Sequence, residues 1–229
     1  MSLVKITKSN HLVEASYSLT LQEQRLVLSC LAKIDSRQEA PKELTLSAQE
    51  YSESMGVGTK NAYRELKKAA DKLYSRNIVL KNEEKVEEFR WIQRKLTYTK
   101  GAAKITLVWS DEVLRYISQL KRRFTTYRLV DVARLNTSYA IRLYELLMQF
   151  NSTKQRSISV KDFRSYFQLT EKYSLFRDLN KRVIKPALNE INTHSNLDVN
   201  CYTEKKGKTI VALIFDFQEK KQPQFAFDD

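Results

Sequence analysis

Glycine and proline are nearly missing, at 4 and 3 among 229 residues. Such a chain has little material for left-handed turns and kinks, which favours helices and plain hairpins over a glycine-rich enzyme scaffold. No G-x-x-x-x-G-K-S/T loop is present to cradle a nucleotide phosphate. Histidine stops at 2, and His11 and His194 form no His-x-His pair of the kind that would hold a metal for strand nicking. His194 follows a helix and reads as a C-terminal capping or surface residue. Cysteine also stops at 2, with neither metal-ligand spacing nor a disulfide framework, and Cys30 lies in an apolar helical stretch that reads as core. There is no nucleophile elbow, and carboxylates are scattered among cations rather than gathered around two metal ions. These absences predict a protein that is not an enzyme and carries no metal or cofactor. No apolar run approaches the ~18 residues of a membrane helix, and Met1–Asn10 lacks the apolar centre of a signal peptide. A reducing cytoplasm is the expected location.

Positive charge is what the chain has in excess. Lys and Arg number 40 against 27 Asp and Glu, a net charge of +13. A polyanionic partner is the natural reading, with a merely basic soluble protein as the alternative. Hydrophobic residues make up 42% and aromatics 10%, enough for a packed core, and the length suits one large domain or two ordinary ones.

Three helix starts carry a capping box, in which a hydroxyl and a downstream carboxylate satisfy the first free amides: Thr20 with Glu23, Ser47 with Glu50, Ser159 with Asp162. The last two lie 112 residues apart and have matching neighbours. Leu46-Ser47 resembles Ile158-Ser159, Glu50-Tyr51 resembles Asp162-Phe163, and Met55 falls opposite Phe167. One residue later in register, Tyr63-Arg64-Glu65-Leu66 resembles Phe176-Arg177-Asp178-Leu179. Thr20, Arg25 and Leu26 overlie Thr137, Arg142 and Leu143. The shared order points to a pseudo-repeat.

Each copy reads as helix, short strand, helix, helix, hairpin. In the first these are Thr20–Asp35, Glu43–Leu46, Ser47–Met55, Thr59–Ser75, then Ile78–Leu80, Phe89–Thr99 and Lys104–Trp109, the last two joined across Lys100-Gly101. In the second they are Thr137–Asn151, Ser157–Ser159, Val160–Gln168, Ser174–Asn192, and a hairpin of Leu197–Thr203 and Thr209–Phe217 turned at Lys206-Gly207. A helix at Asp111–Leu120 and the basic Lys121-Arg122-Arg123 connect them. The fold class expected is α+β, two tandem winged-helix domains over 1–123 and 124–229, with a loose polar tail at 218–229.

In a winged helix the third helix can enter a major groove of about 12 Å width. With Leu175, Leu179, Val183 and Ala187 facing inward, the outer face of the second long helix carries Ser174, Arg177, Lys181 and Lys185, with Arg182 beside them. Pro186 removes one backbone amide and predicts a bend or local irregularity. The first copy presents Lys60, Asn61, Arg64, Lys67 and Lys68, diluted by Glu65 and Asp71, which suits phosphate positioning more than base reading. The wing tips are basic as well: Lys100 and Lys104 around Gly101, and Lys205, Lys206 and Lys208 around Gly207. A solvated charged face remains the alternative for each set taken alone.

Two stretches resemble a known family. Val4-Lys5-Ile6-Thr7-Lys8-Ser9-Asn10-His11-Leu12-Val13-Glu14-Ala15, with Leu19-Thr20-Leu21-Gln22-Glu23-Gln24-Arg25-Leu26, is similar to the opening of Rep initiator proteins of iteron-containing plasmids. The run from Leu175 to Asn192, which includes Arg177-Asp178-Leu179-Asn180-Lys181-Arg182, resembles their second reading helix. The resemblance covers roughly Val4 to Phe217. It implies tandem winged helices that bind double-stranded direct repeats at a plasmid origin as monomers and open replication with host proteins such as a helicase and a host initiator. It further implies a homodimer, in exchange with the monomer, that binds an operator inverted repeat and represses its own gene. The first domain would combine dimerisation with backbone contact, and the second would read bases. Arg177 and Lys181 become the leading base readers, with Arg64, Lys68 and the wing lysines in support. Leu12, Leu19 and Leu26 recur every seven residues; the family suggests a dimer surface, but Thr20 starts a helix between them and the pattern reads better as core. A winged-helix repressor without initiator role, a rolling-circle nickase and an unspecific architectural protein are the competing functions.

Overall fold

The computed structural model describes residues 4–98 and 103–220. Its elements follow the expected repeat. The chain opens with β1 (Lys5–Ser9) and α1 (Asn10–Glu14). The first unit then runs α2 (Leu21–Leu31), β2 (Glu43–Ser47), α3 (Ala48–Met55), α4 (Thr59–Leu73), the hairpin β3 (Asn77–Lys81) with β4 (Val86–Arg90), and the wing strands β5 (Ile92–Thr97) and β6 (Lys104–Trp109). Then come α5 (Asp111–Ile117), β7 (Phe124–Arg128) and α6 (Val130–Ala133). The second unit is α7 (Ser138–Met148), β8 (Gln155–Ser159), α8 (Val160–Tyr166), a long helix in three parts, and the wing strands β9 (Leu197–Lys206) and β10 (Thr209–Glu219). The long helix consists of α9 (Phe176–Leu179), a π segment Asn180–Ile184, and α10 (Lys185–His194).

The two three-stranded sheets have the same topology. The strand before the helix pair lies against the returning wing strand, giving the orders β2-β6-β5 and β8-β10-β9. β2 and β8 also share one alternation of burial. Leu44 and Leu46 point inward in the first, Arg156 and Ile158 in the second. The period of two is what a strand with one covered face requires.

Local chemistry explains the helix ends. Thr20 with Glu23 and Ser47 with Glu50 form complete capping boxes. The third box is half made. Ser159 accepts from the Asp162 amide at 3.0 Å, but the Asp162 carboxylate takes the Ser159 hydroxyl rather than its amide, being one methylene shorter than glutamate. Gly56 ends α3 in the left-handed conformation at φ 63°, where a Cβ would be strained.

The irregularity expected at Pro186 is the π segment directly before it. Proline clashes with the carbonyl four residues back, and a wider turn moves that carbonyl aside. The Lys185 amide accordingly reaches back five residues to the Asn180 carbonyl.

β1 pairs antiparallel with β7, Lys5 opposite Arg128 and Ser9 opposite Phe124. The division placed at 123/124 falls just before β7, whose partner β1 lies on its other side. Gln218 and Glu219 pair with Asp198 and Leu197 inside the wing, and residues 221–229 lie outside the described residues. Leu12, Leu19 and Leu26 are all core, at 0%, 5% and 0% exposure, so the seven-residue spacing reflects burial and offers no free surface. Cys30 is core too, and burial pushes its thiol up to about 12.

Beneath β1 and β7 sits a fully buried ionic cluster. Lys8 and the Tyr127 hydroxyl both donate to Glu145 Oε1 at 2.5 Å, and Arg142 lies 3.6 Å from Glu145 Oε2. Arg142 also donates to the carbonyls of Val13 at 2.9 Å and Ala15 at 2.8 Å and stacks on Tyr17 at 3.7 Å. Burial pulls the Lys8 ammonium below its ordinary pKa despite Glu145, and pushes the Tyr127 phenol well up. Removing the one carboxylate strands two buried cations. Glu145→Leu is expected to cost about 3–5 kcal/mol of unfolding free energy. Lys8→Met should cost less, because Arg142 and Tyr127 still face Glu145. Urea denaturation of the two variants checks this, and a Lys8→Met loss as large as that of Glu145→Leu contradicts it.

Candidate nucleic-acid interface

The outer face of α4 is cationic because its inner face is spoken for. Ala62, Leu66, Ala69, Ala70 and Leu73 are buried, which leaves Lys60, Asn61, Arg64, Lys67 and Lys68 exposed. Arg64 donates to the Asn61 amide oxygen at 2.8 Å, so the two form one polar unit on the first turns. Asp71, expected to dilute this face, is ion-paired with Lys95 of β5. Arg64, Lys68 and Lys72 border a cleft of ≈ 270 Å³ beside Thr20 and Gln22 at the start of α2, with Glu65 also in its wall. Lys72 was not singled out from the sequence, although it extends the same helical stripe by four residues from Lys68.

The second long helix repeats this division. Leu179, Val183, Ile184, Ala187 and Ile191 are buried, and Arg177, Lys181, Arg182 and Lys185 are exposed. Arg177 is 83% exposed, its nearest carboxylate being Asp178 at 4.0 Å. Two residues differ from expectation. Leu175 was placed on the inward face but is 57% exposed, because it is the N-cap, in extended backbone ahead of the first helical turn. Ser174 is exposed and also precedes α9 rather than lying on it. Leu179, Val183 and Ala187, on either side of and within the π segment, keep the inward face expected of them.

Each unit adds a wing. In the first, the Lys104 ammonium stands over the Tyr98 ring at 4.6 Å, and the Tyr63 hydroxyl of α4 donates to the Tyr98 carbonyl at 3.5 Å. Helix and wing are thus in contact. Lys100 and Gly101 lie outside the described residues. In the second, Lys206 pairs with Thr209, and the two-residue turn is Gly207-Lys208, one position later than expected. Gly207 takes φ 63°, the left-handed backbone such a turn demands. Lys205, Lys206 and Lys208 are exposed at this tip, with Tyr202 55% exposed further down β9. His194 sits exposed in the last turn of α10.

The site is therefore three exposed basic elements, two helices and the second wing, with a first wing whose Lys104 is half-buried, on a repeated scaffold. Among the described residues, no cluster of His, Cys, Asp and Glu could hold a metal ion. No helix among them is long and apolar enough to cross a membrane.

Two family models match this scaffold: Initiator Replication protein, WH1, over residues 5–148, and Initiator Rep protein, WH2, over residues 159–217. The chain belongs to the Rep initiator family. It is 32% identical over 234 residues to a replication initiation protein of Escherichia coli, spanning 97% of this chain and 72% of that protein. It is 24% identical to the PI protein of Escherichia coli, over 95% of this chain and 84% of the relative. A solved structure of the Pi initiator protein in complex with iteron DNA shares the fold, with a TM-score of 0.80 at 23% identity, covering 97% of this chain and 100% of that one. The tandem winged-helix architecture is thus the family's own. The WH1 match runs on through β7 and α7, beyond the β1–β7 pairing.

The outward cations lie outside the core. Arg177→Ala, Lys181→Ala and Lys185→Ala should each change unfolding free energy by less than about 0.5 kcal/mol. Leu179→Ala, on the opposite face at 0% exposure, should cost about 2–5 kcal/mol. Denaturation midpoints of the four variants measure both statements; a stability loss at Arg177 comparable to that at Leu179 would place its side chain in the core.

Proposed function

We propose that this chain is a sequence-specific double-stranded DNA-binding protein that initiates plasmid replication by binding direct repeats at the origin, acting through binding and not catalysis. The observation that carries this is the exposed stripe Arg177, Lys181, Arg182 and Lys185 on the third helix of a winged helix. A helix of this kind fits a major groove, and an arginine fork can bond a guanine edge through two donors. Lys60, Asn61, Arg64, Lys67 and Lys68 on α4 form a second contact, weighted toward phosphates. Ser174, Lys104, Lys205, Lys206 and Lys208, with Lys100 at the first wing tip, serve as backbone contacts. The family and the iteron-bound Pi protein support the reading. In the same proposal the unit over 1–123 combines backbone contact with dimerisation, and the unit over 124–229 reads bases. A homodimer that represses its own gene from an inverted repeat, and docking of a host helicase and host initiator, complete it. The bacterial cytosol is where such a protein would work. Any dimer surface must use residues other than Leu12, Leu19 and Leu26 in this conformation, since these are buried.

Binding of this kind is electrostatic in its bulk and chemical in its selectivity. If ~6–10 phosphates are neutralised, affinity should fall by ~10³–10⁵ between about 50 and 200 mM salt. A flat salt titration contradicts the electrostatic part. Arg177→Ala should lower affinity for the cognate repeat more than for scrambled duplex, removing ~1–3 kcal/mol of discrimination. Lys205→Ala, at the wing, should weaken both duplexes alike, because phosphates carry no sequence. Kd on the two duplexes at one fixed salt concentration decides; an unchanged cognate-to-scrambled ratio for Arg177→Ala means the reading face lies elsewhere.

A further inference from the structure

The two helix-turn-helix connections differ greatly in length. In the first unit, residues 56–58 join α3 to α4; in the second, residues 167–175 join α8 to α9. The short turn holds itself, with Gly56 left-handed and the Ser52 hydroxyl donating to the Val57 carbonyl at 2.6 Å. The long turn has no such economy. Gln168 and Tyr173 are both left-handed, at φ 51° and 55°, a conformation that a side chain with a Cβ resists. Its exit is also unsupported locally: α9 starts without a side-chain cap and runs only from Phe176 to Leu179 before the π segment.

One side chain spans this turn. Arg164 of α8 donates through Nη1 to the carbonyls of Leu169 at 3.2 Å and Lys172 at 2.8 Å. Through Nη2 it donates to the carbonyls of Tyr173 at 2.6 Å and Ser174 at 3.1 Å. The two terminal nitrogens carry four hydrogens, and all four are committed. A bidentate phosphate contact by Arg164 is therefore closed off, unlike for the exposed Arg177. The repeat itself marks the position. The offset that overlays Ser47 on Ser159 overlays Ser52 on Arg164. In both units the residue five places after the N-cap donates to carbonyls of the following turn, and the longer turn has the longer donor.

We propose that Arg164 is a positioning residue for sequence specificity: by fixing the turn from Leu169 to Ser174 it sets the angle and register at which Arg177 meets base edges. This rests on the reading of α9 and its continuation as a base-reading helix. Arg164 touches no base; it acts through Arg177, three residues beyond the last carbonyl it holds. The wings and α4 do not depend on it, so unspecific affinity survives its loss.

The test measures Kd on cognate and scrambled duplexes, at one salt concentration, for the full chain with Arg164→Gln, Arg164→Lys, Arg177→Ala and the double variant Arg164→Gln/Arg177→Ala. Arg164→Gln is expected to lower the cognate-to-scrambled ratio about tenfold, within what one bidentate base contact carries, with scrambled affinity changed by less than about twofold. Arg164→Lys keeps the charge without the fork and should fall between wild type and Arg164→Gln. The double variant should lose no more discrimination than Arg177→Ala alone, because the two residues act in series. A ratio that falls for Arg164→Gln but not for Arg177→Ala overturns the route through Arg177 and with it the proposal, and sinks the assignment of Arg177 as reader. An unchanged ratio in Arg164→Gln, equal weakening on both duplexes, or additive losses in the double variant overturns the proposal. Loss of folding in both the glutamine and lysine variants, seen by circular dichroism, also overturns it, since Arg164 would then serve the stability of the unit.

Discussion

One buried carboxylate ties the opening segment of the chain to β7 and α7. Glu145 of α7 accepts from Lys8 of β1 across 137 positions of sequence, from Tyr127 of β7, and faces Arg142. Around it Arg142 ties down the carbonyls of Val13 and Ala15, and Arg156 reaches Glu14 of α1 at 2.9 Å. The opening segment of the chain is thus anchored against β7, α7 and β8 before α2 begins. Arg25 of α2 adds a link in the other direction, donating to Asn136 at 3.2 Å, whose amide donates to Glu190 of α10 at 2.9 Å. Buried charges of this kind contribute less stability than their proximity suggests, because desolvation offsets the attraction. A slip in how β1 meets β7 would move Lys8 away from Glu145 and leave an ion uncompensated in the core.

This arrangement changes how the net charge should be read. Of the cations behind the value of +13, Lys8, Arg142 and Arg156 are buried, and Arg164 is committed to backbone carbonyls. They hold the scaffold. The residues left for a polyanion are those on the outer faces of α4 and the second long helix, at the wing tips, and in the Lys121–Arg123 segment, all exposed or half-exposed among the described residues.

The element order was legible because it rests on short-range signals. The capping pairs at Thr20 and Ser47, the alternation of Leu44 and Leu46, and the spacing of Leu66, Ala69, Ala70 and Leu73 each act within a few residues. The exposed cation stripes were legible for the same reason, being the complement of the apolar ones. What escaped depends on distant partners or on broken periodicity. Lys8, Arg142 and Glu145 look like surface residues until β1 and β7 are brought together. The hairpin β3–β4, an addition to the first unit alone, is held by Ser16 against Val79, a pairing no local pattern announces. Leu175 departs from the inward face expected of it because the helix starts only at Phe176, after the long preceding turn. Arg164 was invisible because nothing in its immediate neighbours shows that four carbonyls converge on it.

The second long helix combines an uncapped start, a π segment and an arginine-held turn. That combination is intelligible if the position of Arg177 and Lys181 matters more than the stability of the helix carrying them. The central claim is that these side chains select direct repeats in duplex DNA. Footprinting the full chain on the DNA flanking its own gene tests this most directly. The account predicts discrete protected segments, each coinciding with one copy of a direct repeat and vanishing when that copy is scrambled; protection that is uniform along the fragment, or unchanged by scrambling, would contradict it.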